Sequence, residues 1–224
     1  VGAEMCIRDR YITNNQEFMG LNFFVNENVL IPQPDTEIIV EETLKKCKEL
    51  LLKNGKIKIL DLCTGSGAIA VSLSIFLGDE AEVFASDIST KALEVAKYNN
   101  GKNNTNVRFI ESNLFKNIQE QKFNIIVSNP PYIRSDVINK LSKQVQNEPH
   151  LALDGGEDGL KFYKKIIEQS CNYIENGYLI LEIGYDQKED VENLLKENKN
   201  YSEIKTIQDL SGNDRCVIAK VGKI

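Results

Sequence analysis

The stretch Ile59-Leu60-Asp61-Leu62-Cys63-Thr64-Gly65-Ser66-Gly67-Ala68-Ile69-Ala70 decides the fold. A short apolar run meets two glycines one residue apart, and small and apolar residues then resume at helical spacing. This reads as a buried strand entering a helix through a glycine-rich turn. In an open α/β sheet such a turn lies beyond the carboxyl end of a strand, where glycine lets the backbone approach a ligand closely. Outward from it, strands are expected at 57–62, 82–86, 107–110, 123–128 and 178–183. Helices are expected at 68–76, at 90–98, and from Leu160 through Tyr163, Ile167, Cys171 and Ile174 to a stop at Asn176-Gly177. That alternation calls for a parallel sheet covered on both faces. Two closing strands, 203–207 and 216–221, are expected around the turn Ser211-Gly212-Asn213-Asp214.

Upstream, short apolar bursts at Phe23-Phe24-Val25 and Val29-Leu30-Ile31 are separated by Asn-rich turn signals. They mark residues 11–34 as a β-hairpin linker. Asp35 or Thr36 is expected to cap a helix carrying Val40, Thr43, Leu44, Cys47, Leu50 and Leu51, with Asn54-Gly55 as its stop. Residues 35–224 then form the catalytic domain. Residues 1–10 differ from the rest, because Glu4-Met5-Cys6-Ile7-Arg8-Asp9-Arg10 resembles a translated transposon-end adaptor. They are expected to be non-native or disordered, an ordinary ragged terminus being the alternative.

With 224 residues and 42% hydrophobic content, the chain can bury one sizeable core. No apolar run approaches the roughly 20 residues of a membrane span, nor is there a signal-peptide core, so a cytoplasmic protein without membrane contact is expected. Five scattered cysteines without C-x-x-C spacing and a single histidine, His150, exclude a multi-histidine or zinc-ribbon metal site; no metal is expected. A net charge of −6 with no dense Lys/Arg cluster offers no footprint for tight nucleic-acid binding.

Asp87 falls at the end of the next strand, 20 residues after Gly67, where a carboxylate can accept from both ribose hydroxyls. This indicates a nucleoside site. Gly65-x-Gly67-x-x-Ala70 also satisfies the relaxed dinucleotide fingerprint, so NAD stays open on the glycines alone. Asp61 tilts the choice, since a cofactor bearing an ammonium and a sulfonium favours nearby negative charge. The spacing Asp61-x-x-x-Gly65-x-Gly67 resembles the first motif of class I S-adenosylmethionine-dependent methyltransferases.

The strand 123–128 ends in Asn129-Pro130-Pro131-Tyr132, the strongest signal in the chain. Two prolines remove two N–H donors and force extended backbone, leaving a corner rich in acceptors. The Asn129 side-chain oxygen and the Pro130 carbonyl can each accept one hydrogen of a planar NH₂ group, aiming its nitrogen at a methyl donor. Tyr132 is expected to stack on the planar acceptor. An amide nitrogen is a poor nucleophile because its lone pair is delocalised, and binding both hydrogens favours the pyramidal transition state. In-line placement and electrostatics can then supply most of the acceleration without a strong base.

The same four residues occur in adenine-N6 methyltransferases, so the flanks must choose the substrate. The segments from Phe18 to Phe23, from Val29 through Ile31-Pro32-Gln33-Pro34-Asp35-Thr36 to Glu37, from Glu148-Pro149 through Leu153-Asp154-Gly155-Gly156-Glu157-Asp158-Gly159-Leu160, and from Asp209 to Arg215 resemble the release-factor glutamine N5-methyltransferases, the PrmC or HemK family. The likeness runs from about Tyr11 to the C-terminus. It implies a class I, Rossmann-like α/β fold with a mostly parallel seven-stranded sheet, helices on both faces and an antiparallel C-terminal strand, preceded by the hairpin. It also implies methyl transfer from S-adenosyl-L-methionine to the Gly-Gly-Gln glutamine of peptide chain release factors, by a monomer lacking most of the family's N-terminal helical domain.

By position the resemblance carries cofactor contacts onto Asp61, Cys63, Thr64, Gly65, Ser66, Gly67, Asp87, Asn113, Leu114 and Asn129. It carries acceptor contacts onto Asn129, Pro130, Pro131 and Tyr132, with Asn129, Pro130 and Tyr132 as the catalytic set. Three departures stand out: Cys63 where glycine is usual, Gln33 where arginine is usual, and Asn113 where aspartate is common. The rival readings are a ribosomal-protein glutamine methyltransferase, an adenine-N6 nucleic-acid methyltransferase and, from other classes, an NAD-dependent oxidoreductase or an inactive nucleoside-binding module.

Overall fold

The computed structural model describes residues 7–119 and 121–222. Helix α1 (Ile7–Thr13) leads into a hairpin of β1 (Asn15–Phe18) and β2 (Leu21–Phe24), closed at Phe18↔Leu21. Met19 and Gly20 both have positive φ, the backbone that a tight two-residue hairpin turn requires. The chain then crosses to a 3₁₀ turn, Pro34–Thr36, and helix α2 (Glu37–Asn54). There follow β3 (Ile57–Leu62), α3 (Ala68–Leu77), β4 (Ala81–Asp87), α4 (Thr90–Lys102), β5 (Arg108–Glu111) and β6 (Phe123–Ser128). Three one-turn helices, α5 (Ser135–Ile138), α6 (Lys143–Gln146) and α7 (His150–Leu153), precede α8 (Lys161–Ser170), β7 (Ile174–Glu182), α9 (Lys188–Glu197), β8 (Tyr201–Gln208) and β9 (Asp214–Val221).

The seven-stranded sheet has the order β5-β4-β3-β6-β7-β9-β8. The first five strands in that order run parallel, and β9 runs antiparallel to both of its neighbours. Period-two alternation splits the core: Ile57 and Ile59 of β3 face the layer of α2 and α3, while Leu60 and Leu62 face that of α8 and α9. Strand order reverses between β3 and β6, which opens a crevice beyond their carboxyl ends. The glycine turn after β3 and Asn129 after β6 stand on either side of it.

Several local expectations change. Helix α8 stops at Ser170, and Ile174 to Gly177 belong to β7, where pairing slips from Phe123↔Ile174 to Ile125↔Tyr178. Asn176-Gly177 is therefore a β-bulge and not a helix stop, with Asn176 left-handed (φ 50°). Helix α9 was not expected from the sequence: only Val191, Leu194 and Leu195 are apolar in ten residues, yet Val191 and Leu195, four apart, bury one face. Thr36 holds the N-cap position of α2 but makes no capping hydrogen bond. Val29 to Ile31 form no strand, and 11–13 lie in α1. Of the residues expected to be non-native or disordered, 1–6 lie outside the described residues and 7–10 belong to α1.

Candidate active site

A cavity of about 300 Å³ fills the crevice, within the range of small-ligand pockets. Cys63, Thr64, Gly65, Ser66, Asp87, Asn113, Leu114, Asn129 and Pro131 line it. Asp61, Gly67, Pro130 and Tyr132 do not. Gly67 begins α3 at φ 81°, and a Cβ there would sit 3.0 Å from that of Ala96, so glycine lets the turn pack on α4. Cys63 adopts φ 61°, which accounts for the glycine usual at this position; burial, with Asp87 nearby, pushes its thiol pKa up. The cysteine therefore stays a neutral thiol in the cavity wall.

Two carboxylates flank the turn. Asp87 accepts from Gly65 N and Ser89 N, both at 2.9 Å, one on each oxygen, which leaves lone pairs on both. Asp61 is fully buried; Oδ2 accepts from the Thr64 hydroxyl at 2.6 Å and Oδ1 has no partner. Burial raises the Asp61 pKa to about 7. A buried acid with one unpartnered oxygen next to the glycine turn suits a cationic donor. Asn99 of α4 ties the hairpin to this wall, donating to the carbonyls of Phe24 and Ser66, both at 2.9 Å.

Across the crevice, Ser128 Oγ donates to Leu62 O at 2.7 Å and fixes the end of β6 against β3. Asn129 Nδ2 donates to Thr36 Oγ1 at 3.4 Å, which leaves Oδ1 as the free acceptor. Beyond Pro131 the chain is clamped by 153–160: Ile133 N donates to Leu153 O at 3.0 Å and Gly155 N to Ile133 O at 2.8 Å. Glu148 Oε1 accepts from Ile31 N at 3.1 Å, joining this insertion to the strap 29–33 over the cavity. The Tyr132 ring, expected to stack on the acceptor, lies outside the cavity lining and packs against the apolar cluster beneath the sheet end. Gln187 Nε2 donates to its carbonyl at 3.0 Å, and its hydroxyl reaches Glu182 Oε1 at 3.5 Å.

Gly155 and Gly159 make that clamp possible. A Cβ on Gly155 would lie 2.7 Å from Tyr132 Cα and 2.8 Å from Tyr132 C, and one on Gly159 would lie 2.6 Å from Tyr132 O. Backbone atoms cannot give way as flexible side-chain tips do. Gly155→Ala is therefore expected to push the 129–132 corner off position, lowering methyl transfer at least about tenfold while cofactor affinity stays within a few-fold. Transfer rates beside calorimetric cofactor binding test this, and unchanged transfer would show that the corner tolerates the shift.

Sequence reasoning missed Thr36, Glu182, Gln187 and Arg215 as parts of this region. The last lies in the segment 209–215, whose motif was visible without a role. Asp209 Oδ1 accepts from the amides of Ser211 and Asn213, both at 2.9 Å, shaping a turn that delivers Arg215. Arg215 pairs with Asp209 at 3.1 Å and Asp35 at 3.4 Å, and so fastens the closing strand to the turn before α2.

Comparison with known proteins places the chain among relatives. A release factor glutamine methyltransferase of Clostridium acetobutylicum is 47% identical over 219 residues, covering 95% of this chain and 75% of that protein. The chain belongs to the release factor glutamine methyltransferase family. The family model described as "Methyltransferase small domain" also matches residues 38–157. Among solved structures, a methyltransferase from Pyrococcus furiosus superposes with a TM-score of 0.67 at 21% identity, covering 97% of this chain and 96% of that one. A 16S rRNA methyltransferase from T. thermophilus, in complex with AdoMet and guanosine, gives 0.62 at 16% identity over 92% of this chain and 49% of that one. Both share the fold. The family's recurrent segments now have a physical place, since 29–37, 148–160 and 209–215 all meet around the Asn129 to Tyr132 corner.

Proposed function

We propose that this chain transfers the methyl group of S-adenosyl-L-methionine to the side-chain nitrogen of the Gly-Gly-Gln glutamine in peptide chain release factors. The observation that carries the reading is that one cavity is lined by the glycine turn and Asp87 on one side and by Asn129 and Pro131 on the other. The relatives' name supplies the acceptor.

The residues present fit the cofactor. Asp87 would accept from the ribose hydroxyls, the orphaned Asp61 Oδ1 would face the cation-bearing end, and Leu114, buried beside exposed Asn113, would border the adenine. The cofactor supplies a methyl group on a positively charged sulfur, already activated for transfer. The chain's own part is orientation. Asn129 Oδ1 and the Pro130 carbonyl accept the two amide hydrogens and expose the nitrogen lone pair, while the strap 29–33 and the insertion 148–152 shield the reacting atoms from water. The nitrogen that takes the methyl would give up one of the two N–H protons held by Asn129 Oδ1 and the Pro130 carbonyl, which would pass to solvent when the product leaves. On this reading the enzyme is a cytoplasmic monomer that meets its protein substrate transiently.

The deciding experiment is mass spectrometry of a release factor incubated with this chain and isotopically labelled cofactor. One added methyl on the Gly-Gly-Gln glutamine is expected; label on adenine instead, or tight NAD binding, would replace the reading. A second prediction concerns the cofactor wall. Asp87→Ala is expected to weaken cofactor binding by about 1.5–3 kcal/mol, as charge-assisted hydrogen bonds to the ribose and the Gly65 anchor disappear together. Calorimetry reads this directly, and undiminished affinity would remove Asp87 from the site.

A further inference from the structure

Asn99 of α4 is fully buried, and its side-chain amide joins two segments that lie far apart in the chain. Oδ1 accepts from Phe24 N at 2.7 Å, and Nδ2 donates to Phe24 O and to Ser66 O, both at 2.9 Å. Phe24 ends the hairpin, and soon after it Asn28, Val29 and Leu30 line the cavity as the first part of the strap. Ser66 lies in the glycine turn and lines the same cavity. Helix α4 carries both segments in other ways too. Val25, Val29 and Ile31 pack with Ala92 and Val95, and a Cβ on Gly67 would stand 3.0 Å from that of Ala96.

We propose that Asn99 is a positioning residue for the cofactor, tying the root of the strap to the glycine turn and so fixing the width of the cavity between them. The proposal deepens the functional reading and rests on it for the identity of the cofactor, S-adenosyl-L-methionine. Apolar packing holds the strap on α4 but is non-directional, so it does not set the distance to the turn. The two N–H bonds of one planar amide do, because they diverge at a fixed angle and leave each carbonyl little freedom. The tie also aims the turn itself. C=O and N–H of a trans peptide point in opposite directions, so holding Ser66 O directs Gly67 N–H to its acceptor, Thr64 O, at 2.9 Å.

Without this amide, the buried Ser66 carbonyl and both backbone groups of Phe24 lose their shared partner. Hydrating them draws strap and turn apart, which opens the cavity around its ligand. The consequence falls on how long the cofactor stays and not on the transfer step, because Asn99 makes no hydrogen bond to the Asn129 to Tyr132 corner among the described residues. A side chain that touches neither substrate nor cofactor thus governs cofactor residence.

The test compares wild type, Asn99→Asp and Asn103→Ala by calorimetric binding of S-adenosyl-L-methionine, stopped-flow cofactor dissociation, and kinetics on a Gly-Gly-Gln peptide. Aspartate keeps the shape of Asn99 and the acceptor for Phe24 N, but it has at most one proton to give and cannot serve both carbonyls. Asn99→Asp is expected to raise the cofactor Kd at least about tenfold, chiefly through faster dissociation, with cofactor KM rising in parallel and kcat at saturating cofactor within a few-fold. Asn103→Ala, which removes only a 3.4 Å bond from α4 to Asn22 O of the hairpin and one to the carbonyl of Asn99, should bind as wild type does. A merely structural role would lower the fraction of Asn99→Asp that binds and leave its Kd alone. That result, wild-type dissociation in Asn99→Asp, or an equal loss of affinity in Asn103→Ala would overturn the tie. Amide hydrogen exchange of the wild type reports even if Asn99→Asp fails to fold: cofactor should slow exchange in 25–31 and 64–67 together, and a strap that gains no protection would also overturn it. Weakened cofactor binding by Asn99→Asp, beside a wild type that binds cofactor but methylates no glutamine, would support the tie and sink the acceptor reading.

Discussion

Replacing Asn129 with alanine is expected to lower kcat for glutamine methylation at least about a hundredfold while moving cofactor affinity by no more than a few-fold. The residue follows β6 directly, where the Ser128–Leu62 hydrogen bond holds the strand end and Thr36 takes Nδ2, so its remaining oxygen is aimed before substrate arrives. Loss of one such preorganised transition-state contact costs about 2.7–4 kcal/mol. The glycine turn and Asp87 stand on the opposite wall and keep their own hydrogen bonds, which is why cofactor binding should barely respond. Single-turnover transfer and calorimetry separate the two effects. Near-parental transfer would remove Asn129 from the acceptor site.

Gly177→Ala is expected to produce the largest loss of stability, about 3 kcal/mol, which for a chain of this size lowers Tm by roughly 6–12 °C. A Cβ at this position would stand 1.7 Å from the carbonyl oxygen of Asn124 on β6. Nor can Asn124 retreat freely, since its side-chain Oδ1 accepts from Lys58 N of β3 at 2.8 Å. The added methyl must pry β7 from β6 at the bulge. Gly212→Ala is the control: φ is 83° but nothing lies within 4 Å of the new Cβ, so only backbone strain of about 1 kcal/mol is expected. If the two variants melted alike, the bulge would be able to absorb a side chain and the steric argument would fail.

Most of the residues that line the candidate site were legible because the signal is local. Asp61 to Gly67 and Asn129 to Tyr132 each carry their message in a handful of consecutive residues, since strand, turn and proline geometry are set by nearest neighbours. The parallel order of the sheet followed from alternating elements and the covered faces they require. Asn176-Gly177 was misread because the same pair that ends a helix also suits a bulge, and only the partner strand decides which. Helix α9 escaped because its buried face is just Val191 and Leu195 in a charged segment, and its helicity comes from packing on the sheet and not from a broad apolar stripe.

The sequence by itself determined the fold class, the glycine turn, the donor-free corner and the family. It also displayed the segments 148–160 and 209–215 without saying what they do. Only the tertiary structure decided that they clamp Tyr132 and deliver Arg215, and that Thr36, 93 positions before Asn129, takes its Nδ2. The physical reason is range. Backbone conformation and periodicity are written in neighbouring residues, whereas burial and the ionisation of an enclosed acid depend on which distant elements the sheet brings together.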